Sequence, residues 1–283
     1  MGGFYIELRT SLEGELNGNL LKLLPRGFQR IGDIIIVNIH KQLLPFRELI
    51  GNHLLGTIPK CRSVCVKAGG ISGRHRTPKI EVVAGDRNTE TTHREHDCLF
   101  KLDVKRIMFA KGNINERRRL ADLVKDDEVV VDMFAGIGYF SIVIARHANP
   151  RVIHSIEINP VSYEYLCENI LLNRVNEKVH PILGDCSVEA LKLGISADRI
   201  IMGYLPSPKD HLPAALKITK SNGTIIHYEG LVHKTDTPTV LLEEVEKVAA
   251  KNGKVAILKN WKSVKTFAPN VRHIVLDVLI KEG

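Results

Sequence analysis

The stretch VVVDMFAGIGYFSIVIARHANPRVIHSIEINP, residues 129–160, decides the fold. Residues 128–135, EVVVDMFA, are a near-continuous apolar run, as in a strand buried on both faces. Gly136 and Gly138 allow a tight turn and close approach of backbone to a ligand. Residues 138–148 read as a helix, and residues 151–158 as a second strand whose last acid is Glu157. Strand, glycine turn, helix and strand make half of a nucleotide-binding α/β sheet.

The pattern continues toward the C-terminus. PVSYEYLCENILLNRV (160–175) is a long helix, with Pro160 near its start where proline is tolerated. VHPILGD (179–185) and ADRIIMGY (197–204) are strands three and four, and GTIIHYEG (223–230) is strand five. Helices fall between them over residues 210–219 and 238–253, the last stopped by Gly253. Residues 254–264 and 271–280 close the chain as two strands that could form an edge pair. This alternation predicts a doubly wound sheet.

Toward the N-terminus, NINERRRLADLV (113–124) reads as a helix, with Asn113 as cap and Glu116 completing a capping box. Residues 19–110 alternate strands (GDIIIVNI, SVCVKA, IEVVAG, CLFKLDVKRIMFA) with the helix FRELIGNHLLGTI. The predicted organisation is a flexible arm at 1–18, a small α+β domain at 19–110 and a ligand-binding α/β domain at 111–283.

Composition sets bounds. The chain has 283 residues, 44% of them hydrophobic and 25% charged, as in a soluble globular protein of two domains. No apolar run is long enough to span a membrane, and the start carries neither a signal-peptide nor a myristoylation pattern. Five scattered cysteines suggest a reducing cytoplasm. Cys61, Cys65, His93, His96 and Cys98 are zinc-type ligands, but their spacing is not that of a zinc motif, so no metal is expected. The net charge of +8 suits a polyanionic partner.

The ligand class follows from the strand ends. The third glycine of a dinucleotide fingerprint is replaced by Ser141, and no Gly-Lys-Ser/Thr phosphate loop exists. Asp132, Glu157 and Asp185 end three successive strands. Glu157 can accept bonds from ribose hydroxyls. Asp185 and the Cys186 N–H can read an adenine edge. Three acids and no phosphate cradle fit an adenosine carrying positive charge and no phosphate, which is S-adenosylmethionine. Helix caps or solvated strand ends are the alternative reading.

NTETTHREHDCLFKLDVKRIMFAKGNINERRRL (88–120), together with DMFAGIGYFSI and EINP, resembles the tRNA guanosine-37 N1-methyltransferase superfamily. That superfamily also contains the aminocarboxypropyltransferases of wybutosine synthesis. The resemblance implies a class I methyltransferase-like fold, with Ala110 (through its backbone), Arg117, Phe134, Gly136, Glu157, Asp185 and Cys186 contacting the cofactor. Strand four of the methyltransferases ends in Asn-Leu-Pro, whereas IIMGYLPSP here puts Gly203 and Tyr204 before Leu205-Pro206. Gly-Tyr-Phe after the glycines, the C-terminal sequence and the short N-terminus also lean toward the aminocarboxypropyltransferases. The resemblance implies transfer of the 3-amino-3-carboxypropyl group to a carbon of 4-demethylwyosine at tRNA(Phe) position 37. N1-methylation of guanosine 37 and a non-catalytic tRNA-binding module are the alternatives.

No catalytic residue is evident. His227, Tyr228 and Glu229 end strand five, where proton handling and plain packing compete as readings. Tyr204 could stack on the acceptor base, and Tyr228 could also contact the substrate. Arg74, Arg76 and Lys79 could hold the backbone of the anticodon loop, or form a solvated loop.

Overall fold

The computed structural model describes residues 2–70, 73 and 77–283, and the chain divides into two compact units. The first comprises residues 1–94 and 99–111; the second comprises 95–98 and 112–283. The hairpin turn at residues 95–98 therefore groups with the second unit, although its first strand begins, and its second strand ends, in the first unit. None of the described helices is long and apolar enough to cross a membrane.

The first unit opens with α1 (Gly2–Ser11) and α2 (Gly18–Leu21). This corrects the flexible arm expected at residues 1–18. Leu8, Leu12 and Leu16 are buried and join Leu21, Leu24, Ile35, Ile50 and Val64 in one core. Leu8 lies in α1, and Leu12 and Leu16 follow it in the turns that lead to α2. A four-stranded sheet follows: β1 (Phe28–Ile31), β2 (Ile34–Val37), β3 (Ser63–Lys67) and β4 (Ile80–Gly85), in that order, with α3 (Arg47–Thr57) between β2 and β3. The β2–β3 pair is parallel and its neighbours antiparallel. The hairpin β5 (Glu90–Glu95) and β6 (Cys98–Asp103) turns at His96 and Asp97, both at positive φ. Residues 90–95 were not read as a strand, because ETTHRE is polar on both faces.

In the second unit α4 (Ile114–Leu123) precedes the sheet. Its expected capping box does not form. Asn113 Oδ1 instead accepts from Lys265 Nζ at 2.9 Å, and the Glu116 carboxylate is bound by Arg119. The sheet is built from β7 (Val129–Asp132), β8 (Val152–Glu157), β9 (Val179–Leu183), β10 (Arg199–Met202), β11 (Thr224–His233), β12 (Lys254–Ala268) and β13 (Val271–Glu282). Between them run α5 (Ser141–His147), α6 (Pro160–Leu172), α7 (Cys186–Lys192), α8 (Leu212–Lys217) and α9 (Thr239–Lys251). The strand order is β12-β13-β11-β10-β7-β8-β9. Strands β9 to β11 are mutually parallel, and β13 inserts antiparallel between β11 and β12. The order reverses at β7, so the carboxyl ends of β7 and its neighbours β8 and β10 form the switch-point crevice where α/β sheets bind ligands.

Candidate cofactor site

The β7–α5 turn is tied to β8. Gly136, at φ +59, donates its N–H to Glu157 Oε2 at 2.8 Å. Glu157 Oε1 accepts from the Asn159 N–H, also at 2.8 Å. Asn159 in turn caps α6 through the Val161 N–H. The Glu157 carboxylate is thus oriented by backbone on two sides while the residue stays partly exposed. Asp185, just beyond β9, caps α7 by accepting the Ser187 N–H at 2.9 Å. Cys186 follows it, 4% exposed.

Asp132 departs from the expectation of an open strand-end acid. It is 1% exposed; Oδ2 accepts from Ser141 Oγ at 2.8 Å and Oδ1 from the Phe134 N–H at 3.3 Å. Burial pushes its carboxyl up to about 7. Its role is to brace the glycine turn from beneath.

An aromatic wall adjoins these acids. Phe134 and Tyr204 stack with ring centroids 5.1 Å apart, and His211 meets Phe134 edge-on at 5.2 Å. His211 Nδ1 lies 2.7 Å from Ser187 Oγ and 3.4 Å from Cys186 Sγ. The structure therefore brings Phe134, Asp185, Cys186 and Tyr204 together, with Gly136 and Glu157 one strand away. His211 and Ser187 were missed, since nothing in PSPKDHLP links His211 to a serine 24 positions earlier. Asp185, Cys186 and His211 each offer a metal-ligating atom, all within 4.8 Å of one another. The His211 nitrogen already meets Ser187, the Asp185 carboxylate caps the helix, and the Cys186 thiol meets His211.

Arg117 is buried, 1% exposed. Nη1 pairs with the Glu95 carboxylate, and the guanidinium lies 4.5 Å from the Tyr139 ring centre. Ala110 is described with the first unit, next to its last residue, Lys111. Lys79 is exposed there; Arg74 and Arg76 lie outside the described residues.

The strand-five triad is structural. Tyr228 is fully buried, its hydroxyl bound to Glu244 and to Ser207, which corrects its assignment to substrate contact. Strand alternation turns it onto the face covered by α9. Arg199 Nη1, which can only donate, bonds His227 Nε2 at 2.8 Å. The His227 proton is therefore on Nδ1, donated to Asp277 Oδ1 at 2.6 Å. Burial lowers the His227 pKa, consistent with a neutral ring. Asp277 also accepts from Arg119, and its pKa falls below the usual carboxylate range despite burial. Glu229 Oε2 is held by His273 at 2.8 Å. A Cβ on Gly203 would stand 3.0 Å from the Phe140 ring and 3.6 Å from Glu229 Oε1.

Sheet order, glycine turn and paired strand-end carboxylates define a class I methyltransferase-like fold with a small preceding domain. A family model described as the TRM5/TYW2 methyltransferase domain matches residues 91–258, and one described as the TYW2 N-terminal domain matches residues 8–89. The chain belongs to the TRM5/TYW2 family. It is 40% identical over 250 residues (88% of this chain, 96% of the relative) to the tRNA(Phe) (4-demethylwyosine(37)-C(7)) aminocarboxypropyltransferase of Methanocaldococcus jannaschii. It is 36% identical over 258 residues (91% of this chain, 76% of the relative) to the tRNA (guanine(37)-N(1))-methyltransferase Trm5b of Pyrococcus abyssi. Among solved structures, Pyrococcus horikoshii TYW2 in complex with MeSAdo is similar at a TM-score of 0.84 and 33% identity, covering 99% of this chain and all of that one.

Proposed function

We propose that this chain transfers the 3-amino-3-carboxypropyl group of S-adenosylmethionine to C7 of 4-demethylwyosine at position 37 of tRNA(Phe). Two of its own features fit that co-substrate. Glu157 presents a fixed, partly exposed carboxylate to a ribose, and Asp185 with the Cys186 N–H presents an acceptor and a donor to an adenine edge. Arg117 is assigned to the methionine end. When bound, S-adenosylmethionine offers alternative electrophilic carbons on one sulfonium, and the one aligned with the acceptor decides the product. For this product a carbon–carbon bond forms, the Cγ–S bond breaks, methylthioadenosine departs and the base loses its C7 proton. The protein's part is positioning, with Tyr204 assigned to stack on the acceptor base.

The observation that carries this reading over methyl transfer is Tyr204. The methyltransferases resembled by the sequence end strand four in Asn-Leu-Pro, which puts an asparagine where this chain has Tyr204, directly before Leu205-Pro206 and stacked on Phe134. The TYW2-type N-terminal domain supports the same branch. The acceptor is read in the anticodon loop, where a base can be splayed out. The place of action is the cytoplasm, supported by five cysteines that are all free.

The test is the nucleoside by-product. Incubation with S-adenosylmethionine and tRNA bearing 4-demethylwyosine should release methylthioadenosine. Release of S-adenosylhomocysteine instead would mean methyl transfer.

A further inference from the structure

The first unit contains a cavity of about 660 Å³ that the cofactor site does not use. Its lining includes Arg30, Lys60, Arg62, Arg94 and Lys111, against two carboxylates, Asp33 and Glu90. Both carboxylates are neutralised by cations. Asp33 is held by Arg62 at 2.8 Å, and Glu90 by Lys101 at 3.1 Å. The cavity therefore carries an excess of positive charge.

The walls are built rather than incidental. Arg62 also donates to Asp86, to the Asn88 carbonyl and to the Glu90 carbonyl, which fixes it as scaffold. Arg30 donates from Nε to the Gly32 carbonyl and from Nη2 to the Lys60 carbonyl, which orients its guanidinium. The β1–β2 turn sits so close to β5 that a Cβ on Gly32, at φ +55, would fall 2.1 Å from Thr91 Oγ1. Lys60 is exposed, on a left-handed backbone at φ 55.

We infer that this cavity is a phosphodiester-binding site that grips the backbone of the substrate tRNA away from the reacting base, with Arg30 and Lys60 as its principal cations. The inference rests on the proposed tRNA substrate. A rigid frame holding excess arginine and lysine suits backbone phosphates, which position an RNA without reading its sequence. It also gives the chain's +8 charge a defined place to act.

The experiment is titration of an unmodified tRNA(Phe) transcript at several salt concentrations, for wild type and Arg30→Gln/Lys60→Gln. Each lost contact should lower the log–log salt slope by roughly 0.7–0.9. S-adenosylmethionine affinity, measured by calorimetry, should not move. Lys60→Gln alone touches no framework bond, so it should still lower the slope by about one contact even if the double variant misfolds. An unchanged slope in folded variants overturns the inference, including one accompanied by loss of polyglutamate binding, which would assign the cavity to an acidic protein. The wild-type by-product separates the two claims: S-adenosylhomocysteine with a reduced slope would sink the proposed reaction and leave the cavity assignment standing.

Discussion

Gly136 donates its backbone N–H to Glu157 Oε2 at 2.8 Å, so the glycine turn after β7 and the acid ending β8 are one unit. Glu157 orients the turn, and its proposed second task is to accept from a ribose. Glu157→Ala should weaken S-adenosylmethionine binding by roughly 1.5–3 kcal/mol, the range for hydrogen bonds to a charged group. Glu157→Gln, able to accept but not to carry charge, should lose less. Calorimetry giving wild-type affinity for the alanine variant would remove Glu157 from the site.

Asp185 has two separable tasks. As the cap of α7 it is worth about 1 kcal/mol of stability; as the proposed adenine acceptor it would contribute to affinity. Asp185→Ser should keep the cap and the melting temperature yet lose cofactor affinity. Cys186→Ala should leave affinity nearly unchanged, because the proposed contact uses its backbone N–H. A large loss at Cys186 would point to the thiol, which lies 3.4 Å from His211 Nδ1.

The Arg117–Glu95 pair is buried on both sides, at 2% and 5% side-chain exposure. Removing one partner strands the other's charge, so Arg117→Ala should cost about 3–5 kcal/mol. Arg117→Ala/Glu95→Ala should cost less than the sum of the single changes. At a temperature where Arg117→Ala is folded, it should lose affinity for S-adenosylmethionine but not for methylthioadenosine, which lacks the amino acid end. Equal losses for both ligands would confine Arg117 to a structural role.

Asp132 makes stability depend on pH. Its folded pKa, about 7, lies above the ordinary carboxylate value of 3.8. The unfolded chain therefore releases this proton first, and the contribution present below pH 3.8 is lost as pH rises through about 7. Asp132→Asn avoids that loss. Relative to wild type, it should be more stable at pH 8 than at pH 4.5 by roughly 2–4 kcal/mol. Urea unfolding of both proteins at the two pH values measures the difference. A pH-independent gap would mean that Asp132 is ionised when folded.

The α/β half was legible because buried parallel strands write themselves as apolar runs, and the acids at their ends fall at fixed positions. Glu157 and Asp185 stand out in the sequence on that basis alone. What stayed hidden depended on pairings between distant residues. His211 reaches Ser187, and the chain Arg199–His227–Asp277–Arg119 spans four elements; neither leaves a local signal. The N-terminal segment was hidden differently: its glycines and polar residues masked the buried leucines Leu8, Leu12 and Leu16. Tyr228 and Glu229 looked available because a strand end was read as open, whereas β11 continues to His233 and carries both under cover.

The central claim is that the carbon chain, and not the methyl group, is transferred. Its most direct test is the mass of nucleoside 37 after reaction of 4-demethylwyosine-containing tRNA(Phe) with S-adenosylmethionine. The account predicts a gain of one aminocarboxypropyl group, lost in Glu157→Ala. A gain of a single methyl group, on that base or on guanosine 37 of an unmodified transcript, would contradict it.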